Sequence, residues 1–111
     1  MDEMTTKIEL TLFRTQGKRL LDLLQTTAQL FRSGEDTMGI EGLITAAAEL
    51  EILTETDRYS RRPQINMSRL LPSLKKLCFY IHNQDITGIA DFLEDSLCPL
   101  TEQWLRGCGD S

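Results

Sequence analysis

The chain has 111 residues, of which 41% are hydrophobic and 26% are charged, and this composition is typical of one folded domain. Its formal net charge of −5 argues against a nucleic-acid-binding surface, which needs a dense basic footprint. The sequence contains no valine, which disfavours a sheet because strands prefer β-branched residues. Composition therefore favours a single helical domain over residues 1–111.

Targeting and redox signals are few. No apolar run reaches the roughly 18 residues of a membrane span, and the acidic, polar first ten residues do not resemble a secretory signal. Cys78, Cys98 and Cys108 form an odd set without paired spacing, which indicates a reducing compartment rather than a disulfide framework. We expect a cytoplasmic protein with neither a membrane nor a nucleic acid as its partner.

The first helix is predicted over residues 4–32. Thr5 or Thr6 could cap its start, and Gly34 suits the position just after its end. Gly17 lies on the apolar seam, where it indicates a kink, a break or a close helix approach. The seam alternates steps of three and four, as a helix packed against others requires: Leu10, Phe13, Gly17, Leu20, Leu24, Thr27 and Phe31.

The second helix is predicted over residues 36–57, with Asp36 or Thr37 as its N-cap. We expect the small side chains of residues 46–48 to let a neighbouring helix approach closely. The polar linker at residues 58–64 is the expected place for mobility, and its three arginines are interpreted as a solvated loop. The predicted apolar seam consists of Ile40, Leu43, Ala47 and Leu50, flanked by Ile44, Ala48 and Leu53.

The third helix is predicted to start near Asn66 or Ser68 and to end near Asn83. Pro72 lies inside the pattern, so either the helix begins near Leu71 or the proline kinks a longer helix. We favour the longer helix because the seam crosses the proline without losing phase. This seam consists of Met67, Leu70, Leu74, Leu77 and Ile81.

The fourth helix is predicted to follow a cap at Asp85 and to end at Gly107. Pro99 removes one backbone donor, yet the seam continues on both sides of it, so we predict one continuous helix kinked at Pro99. Its seam consists of Ile86, Ala90, Leu93, Leu97, Leu100 and Trp104. Four such helices with short connections predict an all-α, antiparallel four-helix bundle of up-down-up-down order.

No motif for catalysis or for cofactor binding stands out in the sequence. Cys78 and His82 are four residues apart, on one helical face, where they could chelate a metal. Only two ligands are present there, and the simpler interpretation is a small buried cysteine and a histidine near a helix end. We therefore predict no enzyme, no cofactor and no metal site.

Three aromatic residues are candidates for partner binding. Trp104 could pack on the rim of the bundle, which the sequence favours, or anchor an interface, where tryptophan is enriched. Phe79 and Tyr80 flank the third seam, and an exposed pair would form a patch for a partner or a second copy to cover.

Two stretches of the chain resemble known helical families over roughly residues 28–105, namely residues 28–44 (AQLFRSGED…GIEGLI) and residues 71–104 (LPSLKKLCFYIHNQDITGIADFLE…PLTEQW). The chain resembles the flagellin export chaperone FliS in its last helices, although it lacks that family's N-terminal tyrosine region. It is more similar to a set of small bacterial helical proteins that share a D-x-L-E…P-x-L-x-x-W ending. The residues that carry this ending are Ala90, Asp91, Leu93, Glu94, Pro99, Leu100 and Trp104.

The FliS resemblance implies a bundle that holds a disordered segment of a partner in a groove between helices and prevents its premature assembly. Our first hypothesis is therefore a non-enzymatic, chaperone-like protein-binding module that takes an amphipathic segment between its helices. The second is a self-associating structural homodimer whose exposed apolar stripe is covered by a second copy. The third is a bundle that binds a metal or a small ligand through Cys78 and His82.

Overall fold

Four helices form nearly all of residues 2–109, the part of the chain that the computed structural model describes; the side chains of residues 2, 3, 5, 6, 108 and 109 lie outside that description. These residues contain no strand, which confirms the predicted all-α bundle. No helix among them combines the length and the apolarity that crossing a membrane requires. The helices are α1 (Asp2–Arg32), α2 (Asp36–Arg58), α3 (Met67–His82) and α4, which spans residues 86–109 as Ile86–Phe92, Leu93–Leu97 and Cys98–Gly109.

Helix α1 is the central helix, and it packs against both α2 and α4. Its predicted seam is buried except for Leu10, which is half-buried. Gly17 marks a close helix approach, since a Cβ atom there would lie only 2.7 Å from the Leu105 Cδ2 atom of α4. The sequence left three interpretations of Gly17 open, and the packing of α4 on this position selects one of them.

The predicted face of α2 is wrong, because Ile40 and Ala47 of the expected seam are exposed. The buried stripe instead runs through Gly39, Ala46, Leu53 and Asp57. A Cβ atom at Gly39 would lie 2.7 Å from the Phe31 ring of α1, and one at Gly42 would lie 2.5 Å from the Thr27 hydroxyl of the same helix, so these two glycines make the close approach. The alanines at 46–48 were expected to do so, but only the first of them is buried.

The predicted N-cap of α4, Asp85, is confirmed, and α3 begins directly after Asn66, one of the two residues near which its start was predicted. The Asn66 side chain accepts a hydrogen bond from the Ser68 amide at 3.0 Å, and the Asp85 side chain accepts one from the Gly88 amide at 2.9 Å. Gly34 has the expected left-handed backbone, with φ of +81°. Helix α3 continues through Pro72, which confirms the longer of the two helices that the sequence left open.

The caps predicted for the first two helices are wrong. Thr5 and Thr6 lie inside α1 rather than before it. Asp36 and Thr37 likewise lie inside α2, whose N-cap is Glu35 without a side-chain hydrogen bond. The described part of α1 already includes Asp2, and α2 begins at Asp36 itself, so residue type alone placed these starts too late.

Helix α4 contains one widened turn directly before its proline. The Cys98 amide donates to the Leu93 carbonyl five residues earlier, which is the hydrogen bond of a π-helix. The wider turn gives the ring of Pro99 room beside the Asp95 carbonyl, where a regular helix would force a clash. Helix α4 also continues past Gly107, so the predicted end is wrong. A bend at Pro99 and the up-down-up-down order stay predictions.

Two carboxylates hold the linker between α2 and α3, where the sequence suggests the greatest mobility. The Asp57 carboxylate accepts from the Gln64 amide at 2.7 Å and from the buried Ile65 amide at 3.0 Å. The Glu9 carboxylate of α1 accepts from the Arg61 amide at 2.8 Å. These three hydrogen bonds fix where α3 starts relative to α2, and so they set the spacing of the two helices.

Candidate partner-binding groove between α2 and α3

An open cleft of about 250 Å³ separates α2 from α3, and we call it the groove. Helix α2 packs along α1 and helix α3 contacts the start of α4, so α1 and α4 provide the floor of the groove. The walls are Leu43, Ala46, Ala47 and Leu50 of α2 and Leu74, Leu77, Cys78 and Ile81 of α3; the floor is Leu20 and Leu24 of α1 and Leu97 and Thr101 of α4.

The lining of the groove is apolar almost throughout. Its one hydroxyl group, on Thr101, donates a hydrogen bond to the Leu97 carbonyl of its own helix at 2.8 Å. That donor is therefore already used, and the polar group that remains in the lining is the thiol of Cys78, a weak donor. An occupant of this groove must be apolar on the face that enters it.

The predicted seam of α3 divides into two stripes. Leu70 and Leu77 are buried in the core, whereas Met67 and Ile81 are exposed. Leu71 is also exposed, and its spacing of four from Met67 places both on one helical face. The sequence pattern could not separate the stripes, because residues of both recur at steps of three and four.

The three aromatic candidates lie outside the groove. Phe79 is 63% exposed and meets Tyr80 edge-on with ring centroids 5.9 Å apart. Tyr80 is half-buried and lies 6.3 Å from the Phe92 ring of α4. Trp104 is only 5% exposed, so it packs inside the bundle and offers little surface to a partner. A role for Phe79 in partner binding stays a prediction.

The structure corrects the interpretation of Cys78, which is exposed rather than buried; Cys98 is the buried cysteine. His82 is exposed at the last residue of α3. Among the described residues, no group of three His, Cys, Asp or Glu side chains is placed to hold a metal ion. The third hypothesis therefore has no third ligand within this part of the chain.

The two cysteines are expected to differ sharply in reactivity. Burial, reinforced by the charges of Glu102 and Glu94, raises the pKa of the Cys98 thiol to about 11. At pH 8 only about one thiol in a thousand is then a thiolate, the form that reacts with alkylating reagents. In a Cys108→Ser background, we expect iodoacetamide to modify Cys78 rapidly and Cys98 at least tenfold more slowly.

Mass spectrometry of tryptic peptides over a time course measures both rates in one sample. Unfolding the protein in urea should make the two rates similar, which serves as the control. Equal rates in the native protein would contradict the burial of Cys98.

The chain matches no protein-family model, no curated protein and no solved structure at a significant level. The resemblance to FliS therefore stays a prediction, and the function is argued from the groove.

Proposed function

We propose that this protein is a helical protein-binding module that takes an amphipathic helix of another protein into the groove between α2 and α3. The observation that carries the proposal is the apolar lining of the groove, which is open to solvent along α2 and α3. Apolar surface of this kind gains free energy when it is covered, at about 25 cal/mol for each Å² buried.

The lining of the groove favours a helix over a small ligand. Small-molecule pockets place a few polar groups to orient the ligand. The polar groups of this lining are the Thr101 hydroxyl, which already donates to the Leu97 carbonyl, and the Cys78 thiol, which is only a weak donor. An amphipathic helix instead enters a groove with apolar side chains at positions i, i+3, i+4 and i+7.

The expected role is that of a chaperone. Each aliphatic anchor that the groove buries contributes roughly 1.5–3 kcal/mol before the costs of association. A segment held in this way has its own apolar face covered, so it cannot pair with other copies or other partners. This mechanism agrees with the one that the FliS resemblance implies.

The test uses Cys78 as a reporter, since it lies in the wall of the groove and is exposed. The full chain with Cys108→Ser is labelled at Cys78 with benzophenone maleimide, added to lysate of the native host and illuminated. We expect cross-links to one segment with helical apolar spacing, and we expect a synthetic peptide of that segment to bind the unlabelled chain.

Two neighbouring alanines provide a matched pair of variants. Ala47 lines the groove and Ala48 does not, yet both are exposed on α2. Ala47→Glu should weaken peptide binding at least about tenfold because a buried charge is costly, whereas Ala48→Glu should leave it unchanged. Cross-links scattered over many proteins, or equal effects of the two variants, would overturn the proposal.

A further inference from the structure

The apolar surface of the groove extends beyond its walls onto the exposed faces of both helices. On α3, Met67 and Leu71 are exposed, and on α2 the same holds for Ile40 and Ile44. Contiguous apolar surface on a soluble domain marks an interaction site. The groove therefore lies at the centre of a wider apolar face, which we call the α2–α3 face.

The two helices of this face have opposite charges. Helix α2 has six acidic side chains and one basic side chain, at its last residue. Helix α3 has three basic side chains and no acidic one. Not all of these charges lie on the α2–α3 face, since Asp57 is buried beneath the linker, Glu49 lies beside Arg19 of α1, and Arg69 lies beside Leu100 and Gln103 of α4. The exposed charges that remain still differ in sign, and they include Glu51 and Glu55 on α2 and Lys75 and Lys76 on α3.

Glu51 and Lys75 each follow a lining residue of the groove, at similar distances along their helices from the linker. Glu51 follows the lining residue Leu50, and Lys75 follows the lining residue Leu74. Glu51 lies seven residues before the end of α2 and Lys75 eight residues after the start of α3, and the linker joins these two ends. Among the described residues, neither charge has an ion-pair partner.

We propose that, while no partner helix occupies the groove, a second copy of this chain covers the α2–α3 face in a two-fold symmetric dimer. A two-fold axis parallel to the helices lays α2 of each copy over α3 of the other. The exposed acidic side chains of α2 then meet the exposed basic side chains of α3 twice, and Glu51 of one copy faces Lys75 of the other. An axis across the helices would lay α2 over α2 and bring like charges together, so the charges select the first arrangement.

This dimer rests on the same groove as the proposed function, and the partner helix would compete with the second copy. A stable dimer buries roughly 800 Å² on each partner, which is about a ninth of the 7098 Å² surface of the chain. A face that runs along two helices is large enough to bury an area of that size. The dimer would keep the apolar face covered between binding events.

The test is sedimentation of the full chain and of charge-reversed variants. We expect the wild-type protein to sediment as a dimer, and we expect Glu51→Lys or Lys75→Glu each to raise the dimer Kd about tenfold, because the same repulsion occurs twice. The double variant should recover the wild-type Kd. An equimolar mixture of the two single variants should also recover it, since the mixed dimer has an opposite-charge pair at both symmetry-related positions.

Each alternative result overturns the inference. A monomer at every concentration, or a dimer unaffected by either reversal, would exclude this interface. A dimer that is broken by Ile8→Ser and not by the reversals would place the contact on the exposed stripe of Met4, Ile8 and Leu12. A monomer that still binds the cross-linked peptide would leave the proposed function standing and remove only the dimer.

Discussion

Replacing Leu93 with alanine is expected to lower the free energy of unfolding by about 3 kcal/mol, within the roughly 2–5 kcal/mol measured for such core truncations. Leu93 is fully buried, and it starts the π-helical turn of α4, next to α1. The widened turn and Pro99 restrict how far the backbone can move to refill the space. We therefore expect a cavity to remain, and urea unfolding followed by circular dichroism measures its cost.

Leu12→Ala is the matched control, since Leu12 is an exposed leucine in the middle of α1. Substitutions at such surface positions change stability by about 0.5 kcal/mol or less. A loss at Leu93 no larger than the loss at Leu12 would show that the seam of α4 does not form the core.

The seams of α1 and α4 could be predicted from sequence because large apolar side chains mark most of their positions. Leu20 and Leu24 on α1 and Leu93 and Leu97 on α4 recur at helical spacing, and all four are buried. On α4 the residues between Leu93 and Leu97 are all polar and left no competing face, and on α1 the half-buried Leu21 and Leu23 widen the same stripe. Where one stripe is both apolar and bulky, periodicity and packing give the same answer.

The face of α2 could not be predicted in this way. It approaches α1 closely through Gly39, which lies against Phe31, and Gly42, which lies against Thr27, and a glycine adds nothing to an apolar pattern. The pattern therefore followed Ile40, which is exposed, and Ala47, which lines the groove instead. Periodicity detects apolar faces but does not indicate whether a neighbour within the chain covers them, so it could not reveal the groove.

Asp57 was also missed, because an acidic residue near the end of a helix usually faces solvent. The structure shows it only 4% exposed, with both carboxylate oxygens accepting from the linker. No sequence signal distinguishes it from Glu55, two residues earlier, which makes a surface ion pair with Arg58 at 3.6 Å. The distinction arises only when the linker folds back over the end of α2.

Replacing Asp57 with alanine is expected to cost about 3 kcal/mol, because two backbone amides lose their acceptor and an unsatisfied buried amide costs roughly 1–3 kcal/mol. Asp57→Asn should cost less, since an amide oxygen still accepts from one N–H while its NH₂ group meets the other. Asp22→Ala, an exposed position on α1, is the control and should change stability by less than about 0.5 kcal/mol.

Urea unfolding ranks the three variants, and hydrogen exchange at Gln64 and Ile65 reports the linker directly. We expect exchange at these two amides to accelerate most in Asp57→Ala, and unchanged protection there would contradict the assigned role. Because the linker sets where α3 starts, the same variant should also weaken binding of the partner peptide in the groove.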